Sequence, residues 1–467
     1  MRAAAVLVTA LLLATASSAQ PQPKPAPPAP SDLLRDARTF EAEVLDVDRS
    51  FTPVARREAE ARVHALEARL GTTSLLAIQV EVCRITALAD NGHTTCVTHP
   101  QAPQVGIGFY PLNGGVYVFS AAGPQAGLLG GELIAIDGRP IGEVRRGVRT
   151  LAGGVPAWRD LNSVYAYSRP AVLHVLGLAR QQTSAVYRIR LPDGQVVERR
   201  LEAGDPGAPA TGVLPPERTP WSWQDLGTHL RWRDAPAHGA VVVQLRTNSD
   251  EPGRPIGAFL DQVERQRAAL GRSTVILDLR SNGGGDLTLT REFLAAWPAK
   301  IGSGARFIVL VGPRTFSAAL ADAAYLKQAG GPQVTLVGQS PGDHMVFFAE
   351  GQPVQLPAIG LTVRPATERD DLKGGCRAYA DCHAGLAQPG GPTATPADRA
   401  VHIKRLPVAV ASLEPDIPAP TSIADYLNGR DSGLVRALDQ ARACAGTTDP
   451  RACDAETRDL AGPIAAG

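Results

Sequence analysis

VILDLRSNGGGD, residues 275–286, is the stretch on which the reading of the fold turns. Val275 to Leu279 is an almost unbroken apolar run, the pattern of a strand covered on both faces. Three glycines, Gly283–Gly285, then separate that strand from a helix predicted to begin at Leu287. Glycine lets a backbone come close to a ligand and turn its N–H groups into a cleft. A phosphate cradle is a poor match, because the loop has neither the lysine of G-x-x-x-x-G-K-[ST] nor the spacing of G-x-G-x-x-G. Two readings remain: a pocket for the oxyanion of a peptide carbonyl, or a purely structural turn.

Outward from this stretch the chain alternates strand and helix. Val241–Val243 reads as a strand and residues near 255–269 as a helix. Downstream come a strand at Phe307–Val311, a helix from Ser317 and a strand near Val334–Val337. Such alternation argues for an α/β layer with crossover helices. Ser317 stands in RTFSAA (314–319), just after a buried strand and Gly312-Pro313. There it either caps the helix or projects as a nucleophile beside helix N–H groups that have no internal partner. Lys327 lies ten positions along the same helix, about 15 Å at 1.5 Å per residue, and so cannot serve Ser317 as a base.

The upstream texture is different. Residues 31–90 carry helical spacing, with Ser31 as a first cap, Thr52-Pro53 as a cap plus first-turn proline, and Val63, Leu66 and Leu70 on one face up to Gly71. A helix opening at Thr73 or Ser74 presents Ile78, Val82 and Ile85 before Asp90-Asn91-Gly92 breaks it. From about 103 to 203 strands take over, including Val116–Phe119 and Leu133–Ile136, the latter ending in the turn Asp137-Gly138. This region, with its small-residue segment 121–130, resembles a PDZ-like module of the bacterial type, and such modules take extended peptide ends by adding a strand to a sheet edge.

Composition sets wider bounds. At 467 residues, two or three domains are expected. The 47 basic against 46 acidic residues give no reason to expect nucleic acid or an anionic membrane as partner. Met1-Arg2, the apolar run Ala3–Ala14 and the small residues Ser17–Ala19 have the layout of a secretory signal peptide cleaved near Ala19, too short for a membrane span. A periplasmic or secreted protein is the expectation. The six cysteines fall as Cys83/Cys96, Cys376/Cys382 and Cys444/Cys453. Their short separations favour three local disulfides in an oxidising compartment.

Several motifs now combine. VILDLRSNGGGD (275–286), VLVGPRTFSAALADAAYLKQAGG (309–331) and LVGQSPGDH (336–344) resemble three successive signatures of the tail-specific, or C-terminal-processing, peptidase family. LEPDIPAPTSIADYLNGRD (413–431) resembles the segment that closes its catalytic domain, and ITALADNGHT (85–94) the helix-end motif of the tricorn-core-like branch. The resemblance runs over nearly all of the mature chain, in family order. It implies an α+β multidomain protein whose C-terminal α/β core is of the crotonase-like ββα type. The expected order is signal peptide (1–19), Pro-rich linker (20–30), N-terminal helical domain (31–100), PDZ-like domain (101–205), linker (206–237), peptidase core (238–435) and a C-terminal tail with a local disulfide (436–467).

The resemblance also implies roles. Ser317 matches the nucleophile; the N–H of Ala318 and one within Gly283–Gly284 match the oxyanion hole. The lysine position of the tail-specific branch holds His344, whereas His93 matches the histidine that activates the serine in the tricorn-like branch, so both stand as candidate bases. Glu368, with Asp370 and Asp371 beside it, is the candidate orienting acid downstream. A serine peptidase acting on peptides or unfolded protein follows, with no cofactor or metal implied. Three positions depart from the pattern: Leu320 replaces an acidic residue, Gln339 a glutamate, and Gly92 a hydroxyl residue before the histidine. These departures leave a second reading, a peptidase-like scaffold that binds a peptide or apolar ligand without turnover.

Overall fold

The computed structural model describes residues 27–204, 211–215, 218–375 and 406–443, with residues 395, 397 and 401 as isolated points. It is a mixed α+β, multidomain architecture. The proposed signal peptide and Cys376, Cys382, Cys444 and Cys453 lie outside the described residues. No helix among the described residues is long and apolar enough to cross a membrane.

Three helices open the chain, α1 (Pro30–Phe40), α2 (Pro53–Glu67) and α3 (Leu75–Thr86). The first begins one residue before the expected Ser31 cap, because Pro30 takes the first helical position, where its missing N–H costs nothing. Thr52 and Ser74 cap the other two by accepting from the N–H groups of Ala55 and Ala77. Then follow β1 (Thr95–Cys96), β2 (Ile107–Leu112), β3 (Gly115–Ala121), β4 (Glu132–Ile136), β5 (Arg139–Pro140), α4 (Ile141–Val148), α5 (Pro156–Ser163), α6 (Pro170–Val175), β6 (Ser184–Arg190), β7 (Val196–Glu202) and β8 (Thr211–Gly212). Strands β2, β3, β4, β6 and β7 line up in that order as an antiparallel sheet, with β5 on β4 and β8 on β3. The turn Asp137-Gly138 has positive φ at both residues (49° and 83°), the geometry that matches the twist of a tight hairpin.

The second half is built on one six-stranded sheet. It contains β9 (Leu230–Ala235), β10 (Ala240–Leu245), α7 (Ile256–Ala269), β11 (Thr274–Asp278), α8 (Arg291–Ile301), β12 (Arg306–Val311), α9 (Ala318–Gly330) and β13 (Val334–Gly338). Four short strands branch off, β14 (Val346–Ala349), β15 (Val354–Leu356), β16 (Leu361–Arg364) and β17 (Glu368–Asp371), before β18 (Ile417–Pro418), α10 (Ile423–Leu427) and α11 (Ser432–Ala443). The order is β18-β13-β12-β11-β10-β9, parallel throughout except for the antiparallel edge β9. Every residue of β10, β11 and β12 is buried, as the apolar run at 275–279 predicts. Helices α7, α8 and α9 cover one face. On the other face Leu434, Ala437 and Ala441 of α11 pack against Val242, Ile276 and Ile308, so the sheet draws in residues read from sequence as tail. The edge strand β9 likewise comes from the stretch read as a linker.

The helical region has no separate core. Its apolar residues join those of the β-rich region and of β15–β16 in one cluster, from Phe40 and Val82 through Val118 and Tyr167 to Val363. β16 pairs antiparallel with β1 (Cys96 opposite Val363), and Asp36 Oδ2 accepts from the Ala358 and Ile359 N–H groups at 2.6 and 2.9 Å. A late excursion of the chain thus returns to grip its beginning.

Candidate active site

Ser317 sits where β12 ends and α9 begins, with φ 56° and ψ −124°. A side chain rarely adopts this backbone state, and holding it costs on the order of 1–3 kcal/mol unless the surroundings enforce it. They do. Thr315 Oγ1 donates to Leu279 O (2.9 Å) and accepts from the Gly312 N–H, while the Phe316 N–H donates to Asn282 O at 3.1 Å. The loop that carries Ser317 is thereby stitched to the glycine loop. A Cβ added at Gly284 (φ 100°) would fall 2.7 Å from Ser317 Cβ, so only glycine fits there. The Gly284 N–H is taken up by Asn282 Oδ1 (2.8 Å), whereas Gly283 is exposed toward solvent. Of the two glycines expected to serve an oxyanion, Gly284 packs against Ser317 and has its N–H engaged, and Gly283 is the exposed one. Ala318, whose N–H starts α9, completes that side.

His93 reaches this place from the opposite end of the chain. Asp90 (φ 50°) ends the α3 segment, and the Asn91 side chain then pairs with the backbone of Phe348, donating to its O (2.9 Å) and accepting its N–H (3.2 Å). On the other side Cys83 and Cys96 form the expected disulfide, their Cα atoms 5.6 Å apart. The His93 ring lies between two aromatic faces, 4.3 Å from Phe316 and 5.1 Å from Phe347. Trp158 of α5 stacks on the far face of Phe316 at 3.7 Å, extending the pile to four rings. Phe316 is the chain neighbour of Ser317, so the stack brings His93 against the residue that precedes Ser317. It also accounts for Gly92, since a Cβ there would meet Phe316 Cε2 at 2.6 Å and Trp158 Nε1 at 3.0 Å. The space a hydroxyl side chain would need is filled by the ring pile.

An acid is set against the imidazole: Asp343 Oδ2 is 3.4 Å from His93 Nδ1. Burial pushes the Asp343 carboxyl well above the usual carboxylate range, the His344 N–H on its other oxygen pulls it down, and Asp370 adds to the rise. Sequence reasoning passed over Asp343 because its contact spans 250 positions and no local pattern marks it. Glu368 stands opposite Ala349 in the β14–β17 pair, and buried Asp370 opposite Phe347. Asp371 caps its own turn and pairs with Arg369 at 2.8 Å. The His344 side chain is exposed. Lys327, at the far end of α9, is 3.5 Å from Asp416.

A second buried acid belongs to the scaffold. Asp322, fully enclosed, accepts from Thr290 Oγ1 (2.6 Å) and Asn248 Nδ2 (2.8 Å), and burial raises it to about 7 despite those bonds. Leu320, where an acid was expected, is core. Because Asp322 and Asp343 both sit above the ordinary range, between about pH 4 and 7 the native chain keeps protons that the unfolded chain has released. Unfolding free energy therefore falls as pH rises through that window. Arg280 overrides the burial of Asp431 and holds it at about 2, so its contribution is lost only in stronger acid. In thermal scans the midpoint is expected to be several degrees higher at pH 5.5 than at pH 8, and Asp322→Asn should flatten the difference. A midpoint that climbs toward pH 8 would contradict this.

Beside the loops that carry Ser317 and the three glycines opens a cavity of about 520 Å³. It lies between the β2–β3 hairpin (Tyr110–Gly114), α5 (Asp160, Leu161) and the carboxyl ends of β11–β13 (Ser281, Pro313, Arg314, Gln339). Ligands of parallel sheets are usually held at those ends. Among the described residues no group of His, Cys, Asp and Glu side chains is arranged to hold a metal ion.

No family model matches this sequence, and no curated protein does. Solved structures do match in shape. Mature CPAF superposes with a TM-score of 0.53 at 12% identity, over 90% of this chain and 99% of its own. Mature CPAF complexed with lactacystin gives 0.51 at 12% identity, over 88% and 98%. The photosystem II D1 C-terminal processing protease gives 0.37 at 14% identity, over 86% and 98%. Over nine-tenths of its length, then, this chain has the fold of mature CPAF.

Proposed function

We propose that the protein is an exported serine endopeptidase of the tail-specific, tricorn-core type, which cleaves unfolded or C-terminal peptide segments by acyl transfer. The observation that carries this reading is Ser317 itself: a non-glycine residue in a strained turn, at the start of a buried helix, against the Gly283–Gly284 loop and one residue from the ring that stacks on His93. In the proposed reaction Ser317 Oγ attacks the scissile carbonyl while His93 takes its proton. The oxyanion forms beside the N–H groups of Ala318 and Gly283. His93 returns the proton to the leaving amine, and water, activated the same way, then releases the acyl group. Asp343 orients the imidazole through the contact of its Oδ2 with Nδ1, and the ring faces of Phe316 and Phe347 favour the imidazolium formed when the proton arrives. The PDZ-like region would collect the chain end and the neighbouring cavity would hold the segment leading to the cut. A CPAF-like fold supports a peptide substrate.

A fluorophosphonate probe, which phosphonylates activated serines, tests this directly. The expected result is stoichiometric labelling that disappears in Ser317→Ala, slows at least a hundredfold in His93→Ala and is unchanged in His344→Ala. Absence of labelling in the wild-type protein would favour the non-hydrolysing scaffold, in keeping with Leu320 and Gln339. Labelling lost in His344→Ala but kept in His93→Ala would move the base to His344.

A further inference from the structure

The glycine loop is held by a buried chain of polar side chains whose far end lies well away from the reacting atoms. Asp322, on α9, is fully buried and accepts from two donors, Thr290 Oγ1 and Asn248 Nδ2. Asn248 Oδ1 accepts from Asn282 Nδ2 at 2.8 Å, and Asn282 Oδ1 accepts from the Gly284 N–H at 2.8 Å. Asn248 and Asn282 are both wholly enclosed. The backbone of Asn248 grips the same loop, donating to Gly284 O (2.9 Å) and accepting from the Asp286 N–H (2.8 Å). A Cβ at Gly285 would fall 2.4 Å from Asn248 O.

Above about pH 7, where Asp322 is ionised, the direction of this chain is set by its acid. An ionised carboxylate has only acceptors, whereas a primary amide has a donor end and an acceptor end that can exchange places by rotation. Against Asp322, Asn248 must present its NH2, which leaves its oxygen for Asn282. Asn282 must then present NH2 to Asn248, which leaves its oxygen for the Gly284 N–H. Were the acid replaced by a group able to donate, both amides could turn, and the last link would set NH2 against N–H.

We propose that Asp322 is a positioning residue for the oxyanion side of the site, fixing through Asn248 and Asn282 the orientation of the Gly284 peptide and hence the Gly283 edge offered to the substrate carbonyl. The inference rests on the hydrolase reading for its catalytic meaning. Its structural content does not, because Gly284 and Ser317 are in contact and a turned peptide at one displaces the other.

The test is a polarity swap. Asp322→Asn and Asn282→Asp each break the chain at one link. Each is expected to lower kcat and the rate of fluorophosphonate labelling at least tenfold with little change in KM, and Asp322→Asn to speed hydrogen exchange at the Gly284 amide. In the double variant Asp322→Asn/Asn282→Asp the carboxylate moves to the other end. Asn248 can then turn over, so that every donor again meets an acceptor. Slow exchange at Gly284 should return and labelling should recover at least threefold over either single variant. A role confined to filling space predicts additive losses instead. Thr290→Val removes the other donor to Asp322 without reversing the chain, and should label within threefold of the wild type. Additive losses in the double variant, or an Asp322→Asn protein with wild-type kcat and Gly284 exchange, would overturn the proposal. If the wild type itself takes no probe, the hydrolase reading falls, and the relay stands or falls on the Gly284 exchange cycle alone.

Discussion

Replacing Ser317 by glycine is expected to abolish hydrolysis and, at the same time, to raise the thermal midpoint. Oγ is the only atom at this position that can attack a carbonyl, so labelling and turnover should fall by about 10⁴-fold or more, as removal of a nucleophile does elsewhere. Stability moves the other way because φ 56°, ψ −124° suits glycine and burdens any residue with a Cβ. Against the strain relieved stands the larger backbone freedom glycine has when unfolded, roughly 1 kcal/mol. A net gain of up to about 2 kcal/mol remains, worth as much as a few degrees in a scanning experiment. Ser317→Ala is the matched control: equally inactive, without the gain. A glycine variant that melts below the alanine variant would show that the turn is not strained in solution.

The second large effect belongs to a residue with no motif around it. Asp343→Asn is expected to lower kcat by about 10²–10⁴-fold, the range seen when the orienting acid of a serine–histidine pair becomes an amide. The carboxyl oxygen 3.4 Å from His93 Nδ1 favours the tautomer whose other nitrogen is basic toward the serine. An amide can present NH2 to that same nitrogen and select the wrong tautomer. Folding should not suffer, since an amide of the same shape can keep the His344 N–H on its oxygen. The readout is kcat/KM for a peptide substrate alongside the midpoint of unfolding. A variant within threefold of the wild type would return the orienting role to the acids of β17, among them Glu368.

Set against these two residues, the limits of reading the chain by eye have a physical pattern. The sheet was legible because strands buried on both faces write an apolar run into the sequence, as at 240–245, 275–279 and 307–311. Helix starts are legible where a cap is local, as at Thr52, and fall two residues earlier than expected at Ser31, where Ala29 takes the cap position and Pro30 the first turn. Ser317 and the three glycines could be picked out because both lie at strand-to-helix turns. Asp343, Asn91 and the Asp322–Asn248–Asn282 chain could not, because each works through a partner far along the sequence: Phe348 lies 257 positions from Asn91, and Asp322 lies 74 from Asn248. A buried amide or acid has no periodicity of its own, and only the folded chain shows what it faces. Gly92 is the reverse case. It reads as a missing functional group until Phe316 and Trp158 fill the space above it.

The pile of Trp158, Phe316, His93 and Phe347 draws its members from four separate stretches of the polypeptide. A molecule whose chain is unfinished, or clipped in its middle, therefore cannot complete the pile, and on the proposed reading it holds Ser317 and His93 apart until the last docking event.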